Sequence, residues 1–184
     1  AYLSADLVTA DGNPVVWLSR LAGRPVRLVP GSDLVTPLCA LAAAREAPVA
    51  FFGSREEVLA EAASRLVAAH PGLRVALCEA PPFGFDPAGS DALASADRIA
   101  ASGARLCFVA LGAPKQEVFS AAAASRATAC GFVCIGAGLD FVAGAQRRAP
   151  LWVRRLALEW LWRLLEEPQR LAGRYADCAL ALPR

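Results

Sequence analysis

Five short apolar runs punctuate this sequence: Asp6–Thr9, Val49–Phe52, Arg74–Cys78, Leu106–Leu111 and Phe132–Ile135. Most are apolar at successive positions instead of at every second one, so as strands they would be covered on both faces. The stretches between them carry helical periodicity. Strands buried on both sides and alternating with helices predict an α/β fold, a parallel sheet with flanking helices.

The helix signals are specific. Ser54-Arg-Glu-Glu57 reads as a capping box, in which hydroxyl and carboxylate each satisfy a free backbone N–H. It would open a helix with Val58, Leu59, Ala62, Ala63, Leu66 and Val67 on one face, stopped by Pro71-Gly72. His70, the single histidine, falls at that helix end and reads as a surface residue. Pro114 stands where a first-turn proline is tolerated, with Glu117 close behind at the positive helix end. Ala149–Gly173 reads as one long helix, with Trp152, Leu156, Trp160 and Leu164 on one stripe and an Arg–Glu ladder on another.

Composition narrows the class. A formal charge of +2 over 184 residues gives no field that would draw nucleic acid, and 56% hydrophobic with 20% charged residues excludes disorder. The longest uncharged stretch, Ala127–Leu139, is too short for a membrane span, which needs about 20 apolar residues. No signal-peptide pattern opens the chain. The six cysteines form no C-x-x-C pair and no zinc spacing, so they are expected as reduced thiols in a cytosol; Cys78, Cys107 and Cys134 fall inside apolar runs and read as small buried hydrophobes. Charge is uneven: residues 1–144 sum to −2 and residues 145–184 to +4. The expected organisation is therefore a sheet domain over 1–144 and a basic helical appendage over 145–184.

Several segments could carry chemistry. Leu111-Gly-Ala-Pro-Lys-Gln-Glu117 follows a strand and opens a helix, and such an N-terminus offers free N–H groups to phosphate. Gly112 would make the turn, Lys115 would add charge, and Gln116 can both donate and accept. Gly136-Ala-Gly-Leu-Asp140 also follows a strand; without a third glycine it is no dinucleotide fingerprint, and Asp140 could bond a ligand or cap a turn. Ala10-Asp-Gly-Asn-Pro14 places Asp11 after the first run, either at a ligand-binding strand end or in an ordinary Asp-Gly turn. Arg147 and Arg148 could grip a pyrophosphate in bidentate fashion or be solvated. The Trp-rich tail reads either as a helix docked on the sheet or as an interfacial helix on anionic lipid. No D-x-D, G-x-S-x-G or P-loop string occurs, which disfavours a metal-dependent sugar transferase, a serine hydrolase and a P-loop enzyme.

These motifs together resemble one family, the WecG/TagA/CpsF glycosyltransferases (glycosyltransferase family 26). The resemblance rests on Ala5-Asp-Leu-Val-Thr-Ala-Asp-Gly12, Pro30-Gly-Ser-Asp-Leu34, Phe108–Glu117, Gly138–Gly144, Arg147-Arg-Ala-Pro150 and Leu158–Pro168, in family order over nearly the whole chain. It implies a Rossmann-like transferase that moves a sugar from a UDP-sugar to a polyprenyl-pyrophosphate-linked saccharide with inversion. It further implies no metal and no cofactor, a peripheral position on the cytoplasmic face of a bacterial membrane, and a part in surface or exopolysaccharide synthesis. The family's base falls on Asp11 and its P-K-Q-E glutamine on Gln116. The family's basic appendage, closing over the donor and touching the membrane, falls on the segment with Arg163, Arg170 and Arg174. The family also carries a βα segment ahead of the A-D-G motif that this sequence is expected to lack, and Leu28 replaces a family arginine. A non-catalytic UDP-binding or membrane-docking subunit is thus the competing reading, and a homo-oligomer is left open.

Overall fold

Four of the five apolar runs are strands, and all four are parallel. The computed structural model describes residues 2–150, 152–153, 156 and 158–166. Strands β1 (Val49–Gly53), β2 (Val75–Glu79), β3 (Leu106–Ala110) and β4 (Gly131–Cys134) form one sheet in the order β2-β1-β3-β4. The registers pair Phe51 with Cys78 on one side and with Phe108 on the other, and Phe108 with Val133. The helices are α1 (Asn13–Leu21), α2 (Val35–Ala44), α3 (Glu56–Ala69), α4 (Ser90–Ala101), α5 (Lys115–Ala124), α6 (Gly138–Ala143) and α7 (Glu159–Glu166).

Burial on both strand faces explains the unbroken apolar runs. Val49, Phe51 and Phe108 pack with Leu59, Leu66 and Leu139 under α2, α3 and α6. Ala50, Phe52, Cys107 and Val109 pack with Ile99 and Phe119 under α4 and α5. Phe52 stacks on Phe119 with ring centroids 4.3 Å apart, and Phe85 meets both rings edge-on. The chain folds into two compact units, Ala1–Gln146 and Arg147–Arg184.

Four local expectations fail. Asp6–Thr9 is no strand: Leu7 and Val8 are exposed, and the only ladder contact beside it among the described residues is the isolated parallel bridge Ala10–Leu28. Cys78 is exposed because β2 is a sheet edge, while Cys39, Cys107 and Cys130 are buried. Burial lifts the Cys39 thiol to about 12 and Cys130 to about 11. Ser54 does not cap α3; its φ of 55° is left-handed, and Arg55 is the cap residue instead. The long C-terminal helix is interrupted, since Trp152 and Val153 are helical, Leu156 is in a turn, Leu158 is non-helical and α7 begins at Glu159. Residues 167–173 of that expected helix lie outside the described residues. Trp152 and Leu156 are exposed.

The edge strand carries one charged anchor. Glu79 accepts hydrogen bonds from Arg98 (2.7 Å) and from Ser95 on α4. Burial alone would raise its carboxyl, but the Arg98 and Ser95 hydrogen bonds and the Arg98 charge outweigh burial and hold it below the ordinary value. A depressed carboxyl contributes stability above its unfolded value and loses it as pH falls through the folded one. Arg98→Ala should therefore cost about 1 kcal/mol near neutrality, with the gap to wild type closing in acid. Urea unfolding across that range checks this; a gap constant with pH would show that the pair is not its source.

Candidate active site

The strand order reverses between β1 and β3: the chain leaves β1 for the outer strand β2, then crosses back to β3 on the other side. In open parallel sheets, ligands bind beyond the strand carboxyl ends at that switch point. Here the two strand ends are pressed together. Gly53 has φ +108°, and a Cβ on it would stand 2.5 Å from the Ala110 carbonyl oxygen. The next amide, on Ser54, donates to that same carbonyl at 2.9 Å.

Three turns meet above this point. Gly112, with φ +73°, leads from β3 through a cis Ala113–Pro114 bond into α5. Gln116 is 8% exposed, and both ends of its carboxamide are engaged. Its Oε1 accepts from the Gly136 amide at 2.9 Å, and its Nε2 donates to Glu117 Oε1 at 2.9 Å. It thereby ties the β3–α5 turn to the β4–α6 turn. Asp140, half-buried on α6, accepts from the Ser54 hydroxyl at 3.3 Å, which joins the β1 end to the same group. Gly112, Gln116 and Asp140 are thus brought together by bonds that span the strand ends.

The other sequence-derived residues are placed as follows. Lys115 is turned to the β2–α4 loop, its Nζ donating to the Phe85 carbonyl at 2.9 Å. One of its protons tethers a loop, a different task from the phosphate contact expected of it. Asp11 is exposed, one residue past the Ala10–Leu28 bridge. It stands at the end of a single bridge and not at the end of a β-strand. That bridge leads to Gly31, which is buried against the Cys134 carbonyl at the β4 end. In the second unit, Arg147 is exposed and Arg148 is paired with Glu159 at 3.8 Å. Arg163 belongs to α7, and Arg170 and Arg174 lie outside the described residues.

Three features escape a sequence reading. Ser54 was legible only as a cap, although a hydroxyl just beyond a strand end is the signal for a crevice residue. Glu117 Oε2 is buried without a hydrogen-bond partner among the described residues, a costly state for a carboxylate oxygen. Gly31 and Gly138 let the 3-10 turn Gly31–Leu34 nest against α6; a Cβ on Gly138 would meet Val35 Cγ2 at 2.9 Å.

Chemically, the ten-residue helix α5 starts at this strand end with its positive dipole end, its Gln116 amide donating to the Gly112 carbonyl at 3.1 Å. An anion such as a diphosphate suits that arrangement. Gln116→Ala removes the acceptor of the half-buried Gly136 amide, a loss of about 1 kcal/mol for one hydrogen bond. The variant should unfold at lower urea. An unchanged unfolding midpoint would show that the Gln116 tie is idle.

An open parallel sheet with helices on both faces and such a switch point is an α/β protein of the doubly wound class. Residues 1–184 match the family model described as Glycosyl transferase WecG/TagA/CpsF family, and the chain belongs to that family. It is 36% identical over 169 residues to the N-acetylglucosaminyldiphosphoundecaprenol N-acetyl-beta-D-mannosaminyltransferase of Bacillus spizizenii. To the protein of the same name from Bacillus subtilis it is 28% identical over 169 residues. Each match covers 91% of this chain and 63% of the relative, so the chain spans less than two thirds of the length of these curated relatives.

Proposed function

We propose that this chain serves an inverting glycosyl transfer from a UDP-sugar to a polyprenyl-pyrophosphate-linked saccharide in bacterial surface-polymer synthesis. The observation that carries the reading is the Gln116–Gly136 hydrogen bond, which ties two glycine turns and the α5 N-terminus together at the sheet's switch point. The names of the Bacillus relatives support N-acetylmannosamine as the sugar and an N-acetylglucosaminyl diphospholipid as the acceptor.

In this reading residues 1–144 bind the donor. Asp11 takes the proton from the acceptor hydroxyl, whose oxygen attacks the anomeric carbon from the face opposite the leaving group. The bond from that carbon to the UDP oxygen breaks and UDP departs with the electron pair, giving inversion. The diphosphate charge is met by the α5 amides near Gly112, with Gln116 and Asp140 fixing the turns around it and Lys115 adding positive charge from the loop side. Arg147 and Arg148 supply bidentate donors. Residues 145–184, which carry Arg163, Arg170 and Arg174, would serve as the basic appendage that acts on the donor and on anionic lipid at the inner face of the membrane. Among the described residues no helix is long and apolar enough to cross a membrane.

Calorimetry of the chain with UDP tests the donor half of this proposal. Saturable binding that Arg147→Ala/Arg148→Ala weakens is expected, by about 1.5–3 kcal/mol for each charged hydrogen bond lost. No binding of UDP to the folded chain would remove the donor site from this crevice.

A further inference from the structure

Helix α1 is amphipathic the wrong way round. An amphipathic helix ordinarily turns its apolar stripe to the core. In α1 only Val16 is buried, while Pro14, Trp17, Leu18 and Leu21 fall at i, i+3, i+4 and i+7 on the opposite side. Trp17, Leu18 and Leu21 are 41%, 46% and 85% exposed, and Val26 and Leu28 on the following loop are exposed as well. A contiguous exposed apolar patch marks an interaction surface.

Charge decides what covers it. Between Asp11 and Asp33 the sequence has three arginines, Arg20, Arg24 and Arg27, and no acidic residue. All three are exposed, and none makes a hydrogen bond or ion pair through its side chain with a described residue. A two-fold contact with a second copy would bring the same patch on both copies together, setting these guanidiniums against their own kind with no carboxylate from the segment between them. An anionic lipid surface complements both properties at once: headgroup phosphates for the arginines, and the headgroup–acyl boundary for Trp17, Leu18 and Leu21.

We propose that α1 and the loop to Leu28 form a docking surface for an anionic membrane, separate from the basic tail. Its consequence rests on the transferase reading: Asp11 lies two residues before α1, so docking through this face would hold the proposed base beside the plane that carries a lipid-linked acceptor. The docking itself is independent of that chemistry.

The test uses the full chain and vesicles of phosphatidylcholine with or without phosphatidylglycerol. Leu18→Gln/Leu21→Gln and Arg20→Gln/Arg24→Gln/Arg27→Gln are compared with wild type and with Arg163→Gln/Arg170→Gln/Arg174→Gln. Each arginine near such a surface adds to binding, so the α1 triple variant should partition on the order of a hundredfold less. Wild-type binding should need phosphatidylglycerol and fade with salt. Leu21→Gln alone, at an 85% exposed position, keeps the fold and should still lower partitioning. Loss in the α1 variants with the tail variant intact supports the docking surface and overturns the tail's membrane role. Loss confined to the tail variant overturns the α1 proposal and leaves the tail reading standing. A wild-type dimer by light scattering that the α1 variants convert to monomer, with vesicle binding unchanged, assigns the patch to a second copy and likewise overturns the proposal.

Discussion

Asp11→Asn is expected to lose transfer by roughly 10²–10⁴-fold, the usual contribution of a general base, while UDP affinity stays near wild type. The asparagine keeps the shape and the Asp-Gly-like turn but cannot accept the proton that the acceptor hydroxyl must give up. Asp11 is exposed at the end of the Ala10–Leu28 bridge, so the substitution removes no buried contact and the fold should be unaffected. Rates are to be measured with saturating UDP-sugar and lipid-linked acceptor, in parallel with UDP calorimetry. Turnover equal to wild type would reduce Asp11 to a turn residue, and parallel loss of turnover and UDP affinity would make it a donor contact instead.

The second large effect is structural. Gly53→Ala should destabilise the sheet domain by on the order of 3 kcal/mol or more. It adds a left-handed strain of about 1–3 kcal/mol to an overpacked contact of similar size. The Cβ would lie 2.5 Å from the Ala110 oxygen and 2.6 Å from its carbon, and the clash is with paired strand backbone, not with a side chain that could rotate away. Gly103→Ala is the control: its φ is +74°, but nothing lies within 4 Å of a Cβ there, so only the strain remains. Urea midpoints measure both. Equal losses in the two variants would mean that the close approach of β1 and β3 carries no energy, and the crevice floor would then not depend on it.

The strands were legible because both faces of β1 and β3 are buried, which forces runs such as Val49–Phe52 to be apolar throughout. The same signature misled at Asp6–Thr9, whose Leu7 and Val8 are as apolar as a core strand yet exposed; composition alone does not say whether a partner strand is present. The P-K-Q-E turn was legible as a helix start, but Gln116's partner is 20 residues on and Ser54's is 86 residues on. Local rules see a hydroxyl followed by Glu and infer a cap; the tertiary contact with Asp140 and the left-handed Ser54 are invisible to them. The interruption before α7 has no Gly or Pro to announce it between Leu151 and Glu166. The exposed face of α1 was hidden for the opposite cause, since its period is that of any core helix and only the fold shows which way it points.

Acceptor-dependent sugar transfer from a UDP donor is tested most directly by UDP release with and without N-acetylglucosaminyl-diphospho-undecaprenol in vesicles, with product anomericity read by NMR. UDP-N-acetylmannosamine should be consumed only when the lipid-linked acceptor is present, and the new linkage should have the anomeric configuration opposite to the donor's. Retention of configuration, or UDP binding without any acceptor-dependent product, would contradict the assignment of this chain as an inverting transferase.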